Sequence, residues 1–498
     1  MPDTAILWFR RDLRLDDNPA LTRAMAASDL VLPLYIHAPA EESPWAPGAA
    51  ARWWLHGSLC ALDHSLRERG SRLLIATGDS RDTLLRLCAL TGATRVYWNR
   101  LYDPATRARD TRIKLDLRAR GLHCESHNAL LLREPWELLN TTGGPYKVYS
   151  AFWRKSSLGL DRLGRDAALP APADCKRSPT MDEPELVQSG VDALDLLPRI
   201  RWDQGLAASW QPGESAALAR ARRFIAGDAT GGVGGAGLVA LDDYAQARDL
   251  PARPGTSGLS AHLHFGEIGP RRLLAMIEDA HGSLAAPGAE TFVRELGWRE
   301  FAHHLLYHFP QTTTEPLDPR FTCFPWRTEG TAPLLAAWQR GRTGVPLVDA
   351  GMRELWRTGW MHNRVRMVVA SYLTKNLRLP WQAGAAWFWD TLVDADLAAN
   401  TLGWQWTAGC GADAAPYFRV FNPVRQGERF DPQGDYVRRW CPEISRLPDK
   451  FIHQPWTAPA PILAAAGLTL GRDYPRPLVD LAGSRLEALA AFDRIKAP

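Results

Sequence analysis

The sequence predicts an α/β protein with an N-terminal doubly wound parallel-sheet domain, a long linker and an all-helical C-terminal domain. At 498 residues the chain is longer than one hydrophobic core ordinarily supports. Strand-like and helix-like segments alternate over the first 130 residues, whereas strand signals largely vanish in the second half. We therefore predict domains at 1 to 132 and 206 to 498, joined by a linker at 133 to 205.

In the N-terminal domain, short apolar runs alternate with amphipathic stretches. The predicted strands AILWF, LVLPLYIHA, RLLIATGD and RVYWN cover residues 5 to 9, 30 to 38, 72 to 79 and 95 to 99. The predicted helices between them cover 50 to 69, 80 to 91 and 104 to 120. This alternation indicates a parallel sheet with helices on its faces. No GxGxxG motif follows the first strand, which disfavours an ordinary dinucleotide-binding domain.

The composition of the chain changes twice after the N-terminal domain. The stretch LPAPADCKRSPTMDEPE, within residues 155 to 205, is typical of a long surface connector. Beyond it, the predicted helices cover 214 to 226, 290 to 308, 347 to 374 and 382 to 397. The Gly-rich run at 227 to 237 follows no strand, so we interpret it as a flexible loop rather than a phosphate cradle.

The composition is that of a globular protein, with 46% hydrophobic and 23% charged residues. The sequence has no apolar run long enough for a membrane span and no signal-peptide core, so we expect a cytoplasmic monomer. Seven widely spaced cysteines without a CxxC pair predict neither disulfides nor a zinc site. We also expect no metal at the clustered histidines, which lack a definite ligand spacing: His262, His264, His303, His304 and His308.

Five sequence blocks stand out, at 8 to 21, 255 to 270, 295 to 301, 358 to 367 and 390 to 406. They read WFRRDLRLDDNPAL, GTSGLSAHLHFGEIGP, ELGWREF, TGWMHNRVRM and DTLVDADLAANTLGWQW. In order and spacing these blocks resemble the photolyase/cryptochrome family, and the resemblance runs nearly end to end. It implies an α/β domain followed by a helical FAD-binding domain, in agreement with the pattern above.

Two of these blocks present polar and aromatic residues at helical spacing. Glu295, Trp298 and Arg299 share one face, which in isolation is typical of an exposed, salt-bridged helix. Trp360, Asn363 and Met367 repeat the arrangement, and two such faces suit a cavity for a flipped pyrimidine pair. The resemblance implies a lesion pocket with the catalytic residues Glu295, Trp298, Asn363, Met367 and Trp406.

The hydroxyls and backbone amides of TSGLS, residues 256 to 260, fit either a pyrophosphate cradle or a simple capped turn. Gly258 departs from several photolyases, which carry arginine there, so an arginine contact from this position is lost. Asn400 cannot donate a proton to the flavin as the aspartic acid of plant cryptochromes can, which favours anionic reduced FAD. The resemblance assigns FAD binding to Tyr244, Thr256, Ser257, Gly258, Leu259, Ser260, Arg299, Arg366, Asp394, Asp396 and Asn400.

The resemblance also implies roles in electron transfer and DNA binding. Trp326, Trp381 and Trp404 match the family's tryptophan chain, although tryptophans are otherwise ordinary core residues. Arg425 is a further candidate for binding DNA phosphates. The DNA-binding set is Arg248, Glu295, Arg299, Asn363, Arg364 and Trp406.

Together these residues predict light-driven repair of cyclobutane pyrimidine dimers in ultraviolet-damaged DNA, with reduced FAD passing an electron to a flipped-out dimer. The texture of residues 341 to 475 is similar to plant cryptochromes and suggests the class III photolyases. The alternatives are a cryptochrome-like blue-light sensor without repair activity and a flavin-free DNA-binding protein. We also expect an antenna, methenyltetrahydrofolate rather than a deazaflavin, although Thr106 stands where the common folate site has glutamate.

Overall fold

The fold is that of a computed structural model, which describes residues 2–167, 169–176, 188–227, 239–414 and 418–496. Within these residues an α/β domain is followed by a helical domain, which confirms the predicted fold class. The Gly-rich run predicted to be a flexible loop lies outside the described residues, apart from Gly227.

The N-terminal domain contains a five-stranded parallel sheet with the order β3-β2-β1-β4-β5. The strands are β1 Thr4–Phe9, β2 Leu30–His37, β3 Leu74–Thr77, β4 Arg95–Asn99 and β5 His123–His127. Strand order reverses between β1 and β4, which leaves a crevice at the carboxyl ends of these strands. The prediction missed β5, because this edge strand, HCESH, carries almost no apolar signal.

The predicted helices of this domain are confirmed, and their starts have local causes. The Asn18 side chain accepts a hydrogen bond from Leu21 N at 3.1 Å, and Asp79 caps a later helix in the same way. The predicted linker is not irregular throughout, because it contains two helices. The helices up to residue 167 are α1 Pro19–Ala27, α2 Ala49–Arg67, α3 Ser80–Thr91, α4 Pro104–Ala119, α5 Tyr149–Ser156 and α6 Leu160–Ala167.

The described part of the second half is helical and contains none of the strands of the sheet, as predicted. Its helices are α7 Gln204–Ser209, α8 Glu214–Ala226, α9 Tyr244–Ala247, α10 Ser260–His264, α11 Pro270–His281, α12 Pro287–His308, α13 Thr331–Gln339, α14 Pro346–Thr358, α15 Asn363–Ser371, α16 Trp381–Thr391, α17 Leu397–Ala408, α18 Pro423–Phe430, α19 Asp435–Trp440, α20 Asp449–Ile452, α21 Ala460–Ala465 and α22 Leu481–Lys496.

Two predicted helices are wrong in their extent. The segment 347 to 374 is not continuous, because Gly359 adopts a left-handed φ of 67° and ends α14. The segment 382 to 397 is interrupted after Thr391, and Asp396 caps the next helix. Hydrophobic periodicity continues across both breaks, so it could not reveal them. Trp360 consequently precedes α15. The prediction that Trp360 and Asn363 share one helical face is therefore wrong.

The block at 8 to 21 joins the two domains. Leu13 N donates to the Phe265 carbonyl at 3.1 Å, and Arg14 Nη1 donates to the Gly266 carbonyl at 2.8 Å. The side chains of Leu13 and Arg14 are both buried. This segment therefore acts as a buried polar junction between the sheet and the helical domain.

Glu267 is the most heavily bonded carboxylate of this junction, and it is fully buried. Its Oε1 accepts from Trp54 Nε1 at 3.1 Å and from Gly213 N at 2.7 Å. The hydroxyl of Ser58 and Nδ1 of His262 also contact the carboxylate. One side chain thus satisfies donors from both domains.

We predict that Glu267→Ala lowers the free energy of unfolding by about 3 kcal/mol, because several buried donors lose their acceptor together. Thermal unfolding followed by circular dichroism measures the effect. Glu290→Ala is the control, since this exposed carboxylate on α12 contributes less than about 1 kcal/mol. A melting temperature of Glu267→Ala equal to that of the unmodified protein would contradict the role of the junction.

Candidate active site

A cavity of about 170 Å³ lies among α15, α16 and α17. The two helix breaks described above position its walls, because the turn at 392 to 396 brings two aspartates beside α15. The cavity collects seven of the predicted site residues. They are Asn363, Arg366, Met367, Asp394, Asp396, Asn400 and Trp404.

Arg366 is fixed within this wall by three hydrogen bonds. Its Nη2 donates to both carboxylate oxygens of Asp394, at 2.9 and 3.1 Å. Its Nε donates to the Met361 carbonyl at 2.7 Å. The guanidinium group is therefore held in one orientation at the cavity, and the buried carboxylate of Asp394 has its charge partner.

Asp396 joins three elements at the edge of the cavity. Its Oδ1 accepts from Ala399 N at 2.9 Å and caps α17. Its Oδ2 lies 3.3 Å from Nδ1 of His264 on α10 and 3.6 Å from Nε2 of His303 on α12. Burial acts to raise the pKa of Asp396, but the two histidines hold this pKa well below its usual value. Asp396 is therefore an anion at neutral pH.

Glu295 and Trp298 lie on α12 as predicted, but neither lines the cavity. Glu295 forms an ion pair with Arg248, another predicted site residue. The Trp298 ring stacks on Tyr149, with ring centroids 3.7 Å apart and an interplanar angle of 9°. Tyr149 OH in turn donates to the Arg294 carbonyl at 2.7 Å. Sequence analysis missed Tyr149 because it lies in the predicted linker, where only the aromatic run VYSAFW marks it.

The turn at 256 to 260 is held from α8. Arg220 Nε donates to the Ser257 carbonyl at 2.7 Å, and Leu259 N donates to the Ser257 hydroxyl at 3.3 Å. Gly258 has a φ of 61°. The described geometry thus shows a tight turn with a guanidinium group against it, and this turn does not line the cavity.

Tyr244 is buried in an aromatic cluster beside this turn. Its ring centroid lies 5.5 Å from those of both Phe224 and Phe292. Arg248 Cζ lies 5.4 Å from the same ring and continues to Glu295. Tyr244, Arg248 and Glu295, three predicted site residues, therefore form one contiguous row.

The three tryptophans of the predicted chain belong to one core. Trp404 and Trp381 are buried, and Trp326 is half-buried and packs against the same core. Gly384 on α16 permits close approach, since a Cβ there would overlap the Trp404 ring. Trp404 thus lies in the cavity wall and Trp326 is partly exposed, and the role of the three residues in electron transfer stays a prediction.

Trp406 lies apart from the cavity. Its Nε1 donates to the Asp413 carbonyl at 3.1 Å, and its ring borders a small space shared with Lys375 and Phe418. Lys375 Nζ lies 3.4 Å from the Phe418 ring centroid, and burial lowers the pKa of this lysine to about 7. This buried amine lies within a π-helical turn, Tyr372–Asn376, and gave no sequence signal.

The predicted DNA-binding arginines fall into two groups. Arg248 pairs with Glu295, Arg364 pairs with Asp249 at 2.8 Å, and Arg299 donates to a backbone carbonyl. Arg425 differs, because it is exposed and forms no ion pair with the residues the structure describes. It borders a groove of about 1380 Å³ whose other basic residues are Arg419, Arg429 and Arg485.

Other expectations concern the antenna, metals and membranes. Thr106 is buried, and its hydroxyl donates to the Asp103 carbonyl at 3.0 Å, so it is engaged within its own helix. Among the described residues, no group of three or more His, Cys, Asp or Glu side chains is arranged to hold a metal ion. In the same residues, no helix has the length and apolar character needed to cross a membrane.

Comparison with known proteins identifies the family. Two family models match: DNA photolyase over residues 5 to 173, and the FAD binding domain of DNA photolyase over residues 292 to 494. The deoxyribodipyrimidine photo-lyase of Agrobacterium fabrum is 45% identical over 99% of this chain and 98% of its own. Cryptochrome-1 of Arabidopsis thaliana is 40% identical over 99% of this chain and 71% of its own.

Solved structures agree. A class III photolyase from Agrobacterium tumefaciens superimposes with a TM-score of 0.92 at 42% identity, covering 100% of this chain and 98% of that one. The chain therefore belongs to the photolyase/cryptochrome family. These findings confirm the predicted family, the class III likeness, the photolyase function and an FAD-binding domain.

The residues of the cavity fit FAD. The indole nitrogen of Trp404, in the cavity wall, is buried without a hydrogen-bond partner among the described residues. Nη2 of Arg299 is in the same condition. Two aspartates, an amide and an arginine offer the acceptors and donors that a ribose and a flavin ring require. FAD would give these buried polar groups the partners they lack.

We predict that Trp404→Phe blocks photoreduction of oxidised FAD but leaves repair by previously reduced protein nearly unchanged. The prediction follows from the expected role of Trp404 in a tryptophan chain that recharges the flavin, because repair instead passes the electron directly to the substrate. Absorption near 450 nm during illumination measures the first property, and product chromatography measures the second.

The matched control is Trp98→Phe, because Trp98 is equally buried but lies in the sheet of the other domain. This variant should photoreduce normally. Equal loss of photoreduction and repair in Trp404→Phe would show that the residue has a structural role instead.

Proposed function

We propose that this protein repairs cyclobutane pyrimidine dimers in DNA under blue or near-ultraviolet light, with the flavin ring of FAD in the cavity among α15, α16 and α17. The observation that carries the proposal is the convergence there of seven predicted site residues from two separate sequence blocks, at 358 to 367 and at 390 to 406. When bound in reduced form, FAD supplies the photoexcited electron. The protein positions the cofactor and the lesion and keeps water away from them.

The charged side chains that would bind FAD are already held in place by other hydrogen bonds of the protein. We infer that the ionised Asp396 and the Arg366–Asp394 pair hold the ribose and the ring, because each is already fixed by other bonds. Asn400 Nδ2 donates to the Ala385 carbonyl at 3.1 Å, which also fixes this amide. Preorganised groups lose little entropy on binding, so the site favours one orientation of the cofactor.

On the lesion side, we infer that Glu295 and Asn363 bond the edges of the flipped bases while Trp298 and Met367 contact their faces. Trp298 has one face covered by Tyr149, so one face is left for a base. Trp406 is assigned to the border of the pocket. Base flipping requires unstacking, and aromatic surfaces offset that cost.

Because Glu295 is paired with Arg248, DNA that enters the site can change the partner of the Glu295 carboxylate. An entering phosphate competes for Arg248, because a phosphodiester is a permanent anion. We infer that this exchange releases Glu295 toward the dimer. Glu295 then stays paired with Arg248 in the DNA-free protein and contacts the dimer only when DNA is bound.

The six-four photoproduct is disfavoured as a substrate by the state of His362. Repair of that lesion needs an acid–base histidine in the lesion pocket, and His362 is the one histidine of the TGWMHNRVRM block. His362 is buried, and its Nδ1 accepts from Arg364 N at 3.2 Å, so it caps α15. Burial lowers the pKa of His362 to about 4, which leaves it neutral.

A blue-light sensor is the second candidate function, and the 40% identity to a plant cryptochrome favours it. Asn400 argues against this alternative, since an amide cannot serve as proton donor to the flavin. Repair by the reduced protein separates the two functions, because a sensor would leave the dimers intact.

We propose two further properties on the same basis. The groove around Arg425 would bind the DNA backbone. The protein would act as a monomer in the cytoplasm. Methenyltetrahydrofolate would bind as antenna in the crevice at the switch between β1 and β4, where doubly wound sheets ordinarily bind ligands. A cavity near the end of β1 is lined by Arg10, which follows β1, by Tyr35 and His37 of β2, and by Leu101, which follows β4.

We predict light-dependent repair of a cyclobutane thymine dimer and no repair of a six-four lesion. The test is illumination of the reduced protein with each lesion in a defined oligonucleotide, followed by chromatography of the products; samples kept in the dark are the control. Restored thymines from the six-four substrate would overturn the substrate assignment. Absence of repair of either lesion would favour the sensor.

We predict that Glu295→Ala slows dimer repair at least about tenfold while its flavin content stays unchanged, because the carboxyl group acts on the substrate anion. Glu290→Ala, on the same helix but exposed, should repair normally. Flavin content is read from the ratio of absorbance at 450 and 280 nm. Loss of flavin in Glu295→Ala would place this residue in cofactor binding instead.

We predict that Arg425→Ala weakens binding to dimer-containing DNA and lowers the slope of log K against log salt by about 1, the loss of one phosphate contact. Fluorescence anisotropy with a labelled duplex at several salt concentrations measures both quantities. The control is Arg472→Ala, an exposed arginine outside the groove. An unchanged slope in Arg425→Ala, or binding of the unmodified protein that is independent of salt, would contradict the assignment.

A further inference from the structure

The guanidinium group of Arg220 occupies the space beside the turn at 256 to 260. Its Nε donates to the Ser257 carbonyl at 2.7 Å. A Cβ at Gly258 would lie 2.6 Å from both Cζ and Nε of Arg220, and closer still to Nη2. The glycine is required twice over, because its φ of 61° also disfavours other residues. The turn and this arginine are therefore built around each other.

Arg220 is also held from behind. Its Cζ lies 5.1 Å from the ring centroid of Trp210, a cation–π contact. The indole of Trp210 donates from Nε1 to the Thr358 carbonyl at 2.7 Å, which fixes the ring. The guanidinium group is thus preorganised between a fixed aromatic ring and the backbone of the turn.

In the part of the chain that the structure describes, the Arg220 guanidinium group has no carboxylate within ion-pair distance. No ion pair joins it to an Asp or Glu of those residues, although the side chain is half-buried. Burial, together with the nearby Arg223, lowers the pKa of Arg220 to about 10, so it remains charged at neutral pH. A half-buried cation beside a second cation is stabilised by an anion.

We propose that Arg220 binds the diphosphate of FAD from α8, as a ligand in addition to the turn at 256 to 260. The proposal rests on the proposed function and on the FAD-binding role that the family resemblance implies for this turn, with its hydroxyls and backbone amides as a pyrophosphate cradle. It follows from the position of the guanidinium group, whose remaining N–H groups lie beside Ser257 and Gly258. The arginine contact that glycine at 258 cannot make is then made from another helix.

The test is binding of FAD to apoprotein, followed by flavin fluorescence, together with ³¹P NMR of the bound diphosphate. We expect Arg220→Gln to raise the Kd for FAD at least about tenfold, because a charge-assisted hydrogen bond to phosphate is lost. The ³¹P resonances should shift, whereas the absorption spectrum of the flavin ring should not. Arg220→Lys keeps the charge and should retain part of the affinity.

The matched control is Arg222→Gln, because Arg222 is exposed on the same helix. Its Kd and ³¹P resonances should equal those of the unmodified protein. A Kd of Arg220→Gln within threefold of the unmodified value would overturn the proposal. So would a raised Kd with unshifted ³¹P resonances and a lowered melting temperature of the apoprotein, which indicates a structural role. If the unmodified protein itself failed to bind FAD, the proposed function would fail, independently of Arg220.

Discussion

The active site depends on the position of one carboxylate. Asp396 caps α17, contacts His264 on α10 and contacts His303 on α12. It therefore joins the helix that follows the turn at 256 to 260, the helix that carries Glu295 and Trp298, and the cavity wall. A buried anion is stable only with such partners, and it is costly to move once they are in place. The relative placement of the three helices, and with it the cavity, is therefore fixed before FAD or DNA binds.

The same principle extends from the site to the whole molecule. Glu267 follows α10 by three residues and satisfies donors from both domains, so helix α2 of the α/β domain is connected directly to the element that carries His264. Buried polar groups of this kind specify one arrangement, because any other leaves donors without acceptors. The α/β domain thereby becomes a rigid support for the helical site, which is a requirement for electron transfer over fixed distances.

The sequence predicted the fold class and most elements, because alternating strand and helix signals are local. It could not predict β5, whose edge position needs few apolar residues, or the helix breaks at Gly359 and Asp396, which hydrophobic periodicity does not record. Seven of the predicted site residues line one cavity, because the family motifs preserve the spacing that brings them together. The sequence could not reveal partners distant along the chain, such as Tyr149 against Trp298, since stacking depends on tertiary packing.

If the cavity among α15, α16 and α17 is the site of the flavin ring, a crystal structure of the protein purified with its own chromophore will show it. We expect density for a flavin ring in this cavity, with the side chains of Asp394, Asp396 and Asn400 within hydrogen-bond distance of FAD. A flavin bound elsewhere, or a cavity filled by protein side chains in the FAD-bound protein, would contradict this expectation.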